Sequence, residues 1–171
     1  MSLLFSPLQL PSPSGGLTLA NRIVIAPMCQ YASKDGAAND WHLMHWGNLL
    51  NSGAGLLTIE TTAVLPTGRI TPGCLGLWDE RTHAALAEHL QRARQLAPPM
   101  PVCIQLAHAG RKASSALPWQ GGQLLGAEAG GWVPVGPSAL PQLPGEPPPA
   151  ELSLAAMDEI REAFVLAARR A

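Results

Sequence analysis

"AGLLTIETTAV", residues 54–64, is a short, nearly continuous apolar run carrying β-branched residues, with no helical stripe. Such a run suits a strand buried on both faces, as in a parallel sheet covered by helices. Its neighbours support that reading on both sides. Downstream, "DERTHAALAEHLQRARQLA" (79–97) places acids early, bases late and apolar residues at helical intervals. Upstream, "DWHLMHWGNLLNS" (40–52) sets Trp41, Met44, His45, Asn48 and Leu49 at helical spacing, with Asp40 as the candidate cap and Gly53 as the stop. "RIVIAP" (22–27) repeats the buried-strand signature until Pro27 ends its ladder, and "PVCIQLA" (101–107) repeats it again. "SLAAMDEIREAFVLAARRA" (153–171) predicts a last helix from the cap candidate Ser153. "LQL" (8–10) and "LTL" (17–19), flanking "PSPSGG", predict a small hairpin ahead of this series. The order βαβαβα implies parallel strands joined by right-handed crossovers, hence an α/β sheet or barrel.

Composition narrows the function. The chain has 171 residues, 47% hydrophobic and 13% charged, with a net charge of -1. That is enough for one domain with a core, and it offers no basic field for nucleic acid. Cys29, Cys74 and Cys103 cannot all pair internally and show no metal-binding spacing, which fits a reducing, cytoplasmic setting. The N-terminus lacks a basic leader and is broken by prolines. No segment carries eighteen uninterrupted apolar residues, so neither secretion nor membrane spanning is expected.

In parallel α/β folds ligands bind at the carboxyl ends of the strands. Met28, Cys29, Gln30 and Tyr31 follow the first strand. Thr61, Thr62 and Ala63 end the second, and Gln105, His108, Arg111 and Lys112 end or follow the third. Buried donors need partners, and a planar ligand with a polar edge is one, as are water and backbone carbonyls. Residues 113–152, rich in proline, form a connection too long for an ordinary loop and are expected over the same face or poorly ordered. Other chemistries lack their motifs. "GAG" (53–55) precedes a strand, and "GGQLLG" (121–126) has no following Lys-Ser/Thr. His42 and His45 have no third ligand nearby, so no metal is expected, and no nucleophile elbow supports a hydrolase.

At "NRIVIAPMCQYASKDGAANDWHLMHWG" the chain resembles the Old Yellow Enzyme family of FMN-dependent ene-reductases, in its bacterial subgroup with cysteine in the first-strand motif. The likeness continues through "GAGLLTIETTAVLPTGRITPGCLGLWDE", "IQLAHAGRKAS" and "GWVPVGPSAL", from about Leu3 to Ala171. It implies an eight-stranded (β/α) TIM barrel holding FMN at the carboxyl ends of the strands, of which residues 1–171 supply the hairpin and three β/α units. Pro27, Met28 and Cys29 would line the flavin ring, with the Cys29 sulfur tuning its potential. Ala63 would let the ring approach, and Gln105 would hydrogen-bond its edge. Tyr31 would contact the substrate carbonyl, with Lys112 and Arg111 as the basic pair of "HAGRK". His108 would orient that loop, and Trp119 and Trp132 would wall the entrance. Taken without the likeness, Cys29 reads as an inert thiol, Gln105 as a satisfied core amide, and Tyr31, Arg111 and Lys112 as surface side chains.

The resemblance implies reduction of the C=C bond of α,β-unsaturated carbonyl compounds, with NAD(P)H reducing FMN first. The family's chains run to about twice this length. The carbonyl-gripping histidine pair or His-Asn, the proton-delivering tyrosine and the later flavin-binding arginine all match positions after Ala171. A half-barrel exposes two edge strands, so self-association or completion by a C-terminal half is expected. The alternative is a non-catalytic half-barrel that binds no flavin without a second chain or segment.

Overall fold

The computed structural model describes residues 2–13 and 15–171. Strands β1 (Leu8–Leu10) and β2 (Leu17–Leu19) pair antiparallel with Leu8 opposite Leu19, forming the expected hairpin. Ser14 of its turn, and Met1, lie outside the described residues.

The main sheet is parallel. Its centre is β4 (Leu56–Ala63), flanked on one edge by β6 (Val102–Ala107). The other edge is shared: β3 (Val24–Ile25) pairs with Leu56 and Leu57, while β5 (Leu75–Gly76) pairs with Thr62 and Ala63. The strand expected over 22–27 is therefore shorter. Pro27 has no N–H to donate, the chain peels away there, and β5, which sequence patterning misses at two residues long, takes over the vacated edge.

Helix α1 (Asp40–Leu50) is capped by Asn39 rather than Asp40. The Asn39 side chain accepts from the Trp41 N–H at 3.0 Å, while the Asn39 N–H donates to His42 Nδ1 at 3.1 Å. Asp40 instead occupies the first turn, where the helix dipole favours an acid. Helix α2 (Glu80–Gln95) starts from Asp79, whose carboxylate accepts from the Thr82 N–H at 2.7 Å. Helix α3 (Leu154–Arg170) starts from Ser153 as expected, its hydroxyl accepting from Ala156. Residues 113–152 carry structure of their own: 3-10 turns at Pro118–Gln120 and Ala127–Ala129, and a short parallel pair of β7 (Val135–Gly136) with β8 (Ala150–Glu151).

The helices cover one face of the sheet. Leu57 and Ile59 bury against Trp46, Leu50 and Leu86, with Val102 and Ile104 alongside. Val64 and Leu77 bury against Ala163 and Ala167 of α3. The opposite face is open rather than buried as expected: Val24 is 48% and Met28 55% exposed, and Cys103 and Gln105 are exposed too. No further strands curl over that face among the described residues.

Candidate active site

One irregularity in β4 decides which side chains reach the open face. Strict alternation along "LLTIETTA" would put Thr58, Glu60 and Thr62 together. Instead, the register against β6 shifts between Ile59 and Thr61, pairing Ile59 with Ile104 and Thr61 with Gln105. Glu60 is the extra residue of this bulge. Thr58, Thr61 and Ala63 then share the open face with Cys103, Gln105 and Ala107.

Those residues touch. The Thr61 hydroxyl donates to Gln105 Oε1 at 2.6 Å, which fixes the amide and leaves its Nε2 pointing its protons at the open face. The half-buried Cys29 thiol, in the loop after β3, has Thr61 among the groups that act on it electrostatically. Tyr31 lies beside Cys29, and its electrostatic neighbours include Cys74 and Glu60. Ala63 is buried at the carboxyl end of β4, opposite Gly76 on one side and Ala107 on the other, and its carbonyl accepts from the Leu77 N–H at 2.9 Å. Three residues with little or no side chain thus lie abreast beside the Thr61–Gln105 pair.

The loop after β3 is held from beneath. Buried Glu60 accepts the Gln30 N–H at 2.9 Å, Gln30 Nε2 donates to the Met28 carbonyl, and the Trp41 indole donates to Gln30 Oε1 at 3.3 Å. Burial pushes the Glu60 carboxyl up to about 8, partly opposed by the Gln30 N–H. Burial, helped by the nearby imidazoles of His45 and His89, lowers His42 to about 4. The two face each other at 3.7 Å, and neither His42 Nε2 nor Glu60 Oε1 has a hydrogen bond. At neutral pH this is a contact of two uncharged groups.

Tyr31 has φ 54, a left-handed conformation uncommon for a residue with a side chain, and its ring meets Trp119 edge-on at 5.7 Å. Trp132 stacks on Arg69 at 4.9 Å, and its indole donates to the Thr67 carbonyl. His108 Nδ1 accepts from the Gly110 N–H. Arg111 and Lys112 are exposed on the turn Gly110–Lys112, with Arg111 turned to the Pro141 carbonyl. The structure therefore gathers Cys29, Tyr31, Ala63 and Gln105, while Pro27 and Met28 belong to the same loop as Cys29 and the basic pair stands at the rim. A hollow of about 680 Å³ lies elsewhere, between α2, β6 and the end of α3, and is lined by none of these side chains.

Sequence reasoning placed Thr61 at a strand end but missed its bond to Gln105, and it missed Glu60. Glu60 had a signal, a lone carboxylate inside an otherwise uncharged buried strand.

Polar side chains and small residues converge at the carboxyl ends of parallel strands joined by helices, the end at which α/β proteins, open sheets and (β/α) barrels alike, place their ligands. Residues 3–171 match the model of the NADH:flavin oxidoreductase / NADH oxidase family, and the chain belongs to that family. The family's description names NADH and flavin. The chain is 43% identical over 162 residues to an NADH:flavin oxidoreductase of Gibberella zeae, covering 91% of this chain and 38% of the relative. It is 37% identical to an NADPH dehydrogenase of Geobacillus thermodenitrificans, covering 94% and 43%. Among solved structures, morphinone reductase superposes with a TM-score of 0.73 at 26% identity, covering 98% of this chain and 44% of that one. An Old Yellow Enzyme homologue from Zymomonas mobilis matches in fold, with a TM-score of 0.75. The chain thus spans less than half the length of these relatives and corresponds to the N-terminal part of their barrel.

Proposed function

We propose that this chain contributes the first half of the FMN site of an NAD(P)H-dependent oxidoreductase that reduces the C=C bond of α,β-unsaturated carbonyl compounds. The observation that carries the reading is the Thr61–Gln105 hydrogen bond beside the small-residue row at Ala63, with Cys29 on the adjoining strand-end loop. That arrangement fits a flat heterocycle. Ala63 gives close approach, Gln105 presents amide donors to ring oxygens, and the half-buried Cys29 thiol stands on the strand-end loop.

Bound FMN supplies the hydride-transfer chemistry. The residues of this chain bind and orient. The Thr61 hydroxyl keeps the Gln105 amide from rotating, and Glu60 keeps the Met28–Gln30 loop in place through the Gln30 N–H. The Tyr31 phenol, raised in pKa by burial and by Cys29, stays protonated and offers an O–H to a substrate carbonyl. Lys112 adds positive charge at the rim, where charge develops on the carbonyl oxygen.

Titrating the purified chain into FMN tests the binding half of the proposal. Saturable quenching of flavin fluorescence is expected, with affinity weakened about tenfold or more in Gln105→Leu. No saturable binding would support the non-catalytic alternative, and unchanged binding in Gln105→Leu would remove Gln105 from the site. In a preparation that retains flavin, NADPH-driven loss of the 2-cyclohexenone absorbance band tests the reaction.

A further inference from the structure

Tyr31 is gripped by its backbone. Its φ of 54 is held where the loop after β3 meets the turn before β5: the Ser33 N–H donates to the Gly73 carbonyl at 2.9 Å, and the Ser33 hydroxyl donates to the Cys74 carbonyl at 2.6 Å. A Cβ on Gly73 would collide with the Tyr31 carbonyl, so the two segments lie as close as the backbone allows. The side chain then meets one aromatic ring among the described residues. Trp119 stands edge-on to it, with ring centroids 5.7 Å apart and planes at 77°.

An exposed tryptophan needs no explanation by itself, and Trp119 is 69% exposed. What sets it apart is how firmly its turn is tied. Ser115 bridges to Leu124, the Ala116 N–H donates to the Gln123 carbonyl at 2.8 Å, and the Leu125 N–H donates to the Ser114 carbonyl at 2.7 Å. The Glu146 carboxylate accepts the Leu124 N–H at 2.8 Å. At the tip, the Gln120 and Gly122 N–H groups both return to the Leu117 carbonyl. Gly121 and Gly122, at φ 107 and 69, make a reversal that residues with side chains disfavour. A closed turn thus carries an indole that belongs to neither buried cluster and sets it against Tyr31. Residues 116–124, "ALPWQGGQL", carry no charge, so the wall that this turn presents is neutral as well as flat.

Building on the reading of Tyr31 as donor to the substrate carbonyl, we propose that Trp119 is a specificity-determining residue: its indole takes the aryl group of a flat, aryl-conjugated unsaturated ketone or aldehyde while Tyr31 takes the carbonyl oxygen. Conjugation from ring to carbonyl keeps such a molecule planar. Fixing its oxygen at Tyr31 therefore restricts where its ring lies, and the neighbouring indole is the surface that ring meets. Ring faces and ring edges carry opposite partial charge, so aryl–indole contact adds to the area buried. A methyl group in place of the aryl group gains neither.

The molecule provides its own probe, since Tyr31 is its single tyrosine. In the chain labelled with 3-fluorotyrosine, one fluorine resonance reports the site. It is followed in the presence of FMN while 4-phenyl-3-buten-2-one or 3-penten-2-one, which differ by phenyl for methyl, is titrated in. The phenyl ketone should shift the resonance with an apparent Kd about tenfold lower. Trp119→Leu, which keeps an apolar side chain but removes the flat ring, should close most of that gap, and Trp119→Phe should restore most of it. Should Trp119→Leu fail to fold, nuclear Overhauser contacts between the phenyl protons and the Trp119 indole of the parent decide: their presence upholds the inference and their absence overturns it. Equal affinities in the parent, a gap that survives Trp119→Leu, or no saturable shift with either ketone would each overturn it as well. FMN binding without the phenyl preference sinks this inference alone. A phenyl preference in a chain that binds no FMN leaves Trp119 as the ring-binding wall and sinks the proposed function.

Discussion

Glu60 shows how one residue can serve two structures at once. It is the extra residue of the β4 bulge, so it allows Thr61 and Ala63 to face the site, and its carboxyl holds Gln30 and thereby the Cys29 loop. The cost of burying it sets a pH dependence. With its folded pKa raised from 4.5 to about 8, the native state keeps a proton that the unfolded chain releases, so this contribution to stability is lost as pH rises through that interval. His42 works in the opposite sense. Lowered from 6.5 to about 4, it resists protonation in the native state, so its contribution is lost as pH falls from 6.5 toward 4. Below pH 6.5 the two slopes oppose each other, and above it Glu60 is opposed by the buried Cys74 thiol, lowered from 9.0 to about 6, whose contribution to stability grows as pH rises through that interval. In a Cys74→Ser chain, which removes the opposing thiol, urea unfolding at a series of pH values should show stability falling by on the order of 1 kcal/mol per pH unit between 6.5 and 8. Glu60→Gln should flatten that decline. A decline that persists in Glu60→Gln would assign it to another group. At the site itself, Thr61→Val should weaken FMN binding several-fold by freeing the Gln105 amide to rotate, and an unchanged titration would separate Thr61 from the site.

At the scale of elements, the contact between the loop after β3 and the turn before β5 is the joint on which the site depends. Gly73→Ala should force the Tyr31 carbonyl aside, since the atom it meets is backbone and not the end of a flexible side chain. Destabilisation of about 1–3 kcal/mol in chemical unfolding is expected, together with weaker FMN binding; a variant as stable as the parent would show that the joint yields. What the sequence disclosed at this scale follows from what leaves a periodic trace. The three long parallel strands or their cores, the three helices, the Ser153 cap and the β1–β2 hairpin were legible because apolar spacing and cap chemistry are local. Two features were not. The bulge at Glu60 makes alternation fail within a single strand, and β5 is too short to carry a period, its pairing arising from the space that Pro27 leaves. The placement of Asn39 rather than Asp40 as the cap turned on which of two adjacent competent side chains leaves the helix. Cys29, Thr61, Ala63 and Gln105 were legible as strand-end residues and the resemblance gave Cys29, Ala63 and Gln105 their flavin roles, whereas the bond from Thr61 to Gln105 became visible only once the strands were in register.

The whole molecule has one face that its described residues leave uncovered. Val24, Met28, Cys103 and Gln105 are exposed on the side of the sheet opposite the helices, and β6 pairs with β4 on only one of its edges. In the relatives, more than half of the chain lies beyond the part matched here. An open sheet edge presents unpaired N–H and C=O groups, and an uncovered apolar strip adds a driving force for burying them against another polypeptide. The purified 171-residue chain should therefore associate in a concentration-dependent way, visible as a rising mass in multi-angle light scattering across a dilution series. Charge on the open face should oppose this, because bringing two copies together would desolvate it. Val24→Lys combined with Cys103→Lys should shift the mass toward the monomer while leaving the helical circular dichroism signal in place, since neither side chain belongs to the buried clusters beneath α1, α2 and α3. The double variant also tests which surface is used. If association persists unchanged, the contact is made elsewhere than at Val24 and Cys103.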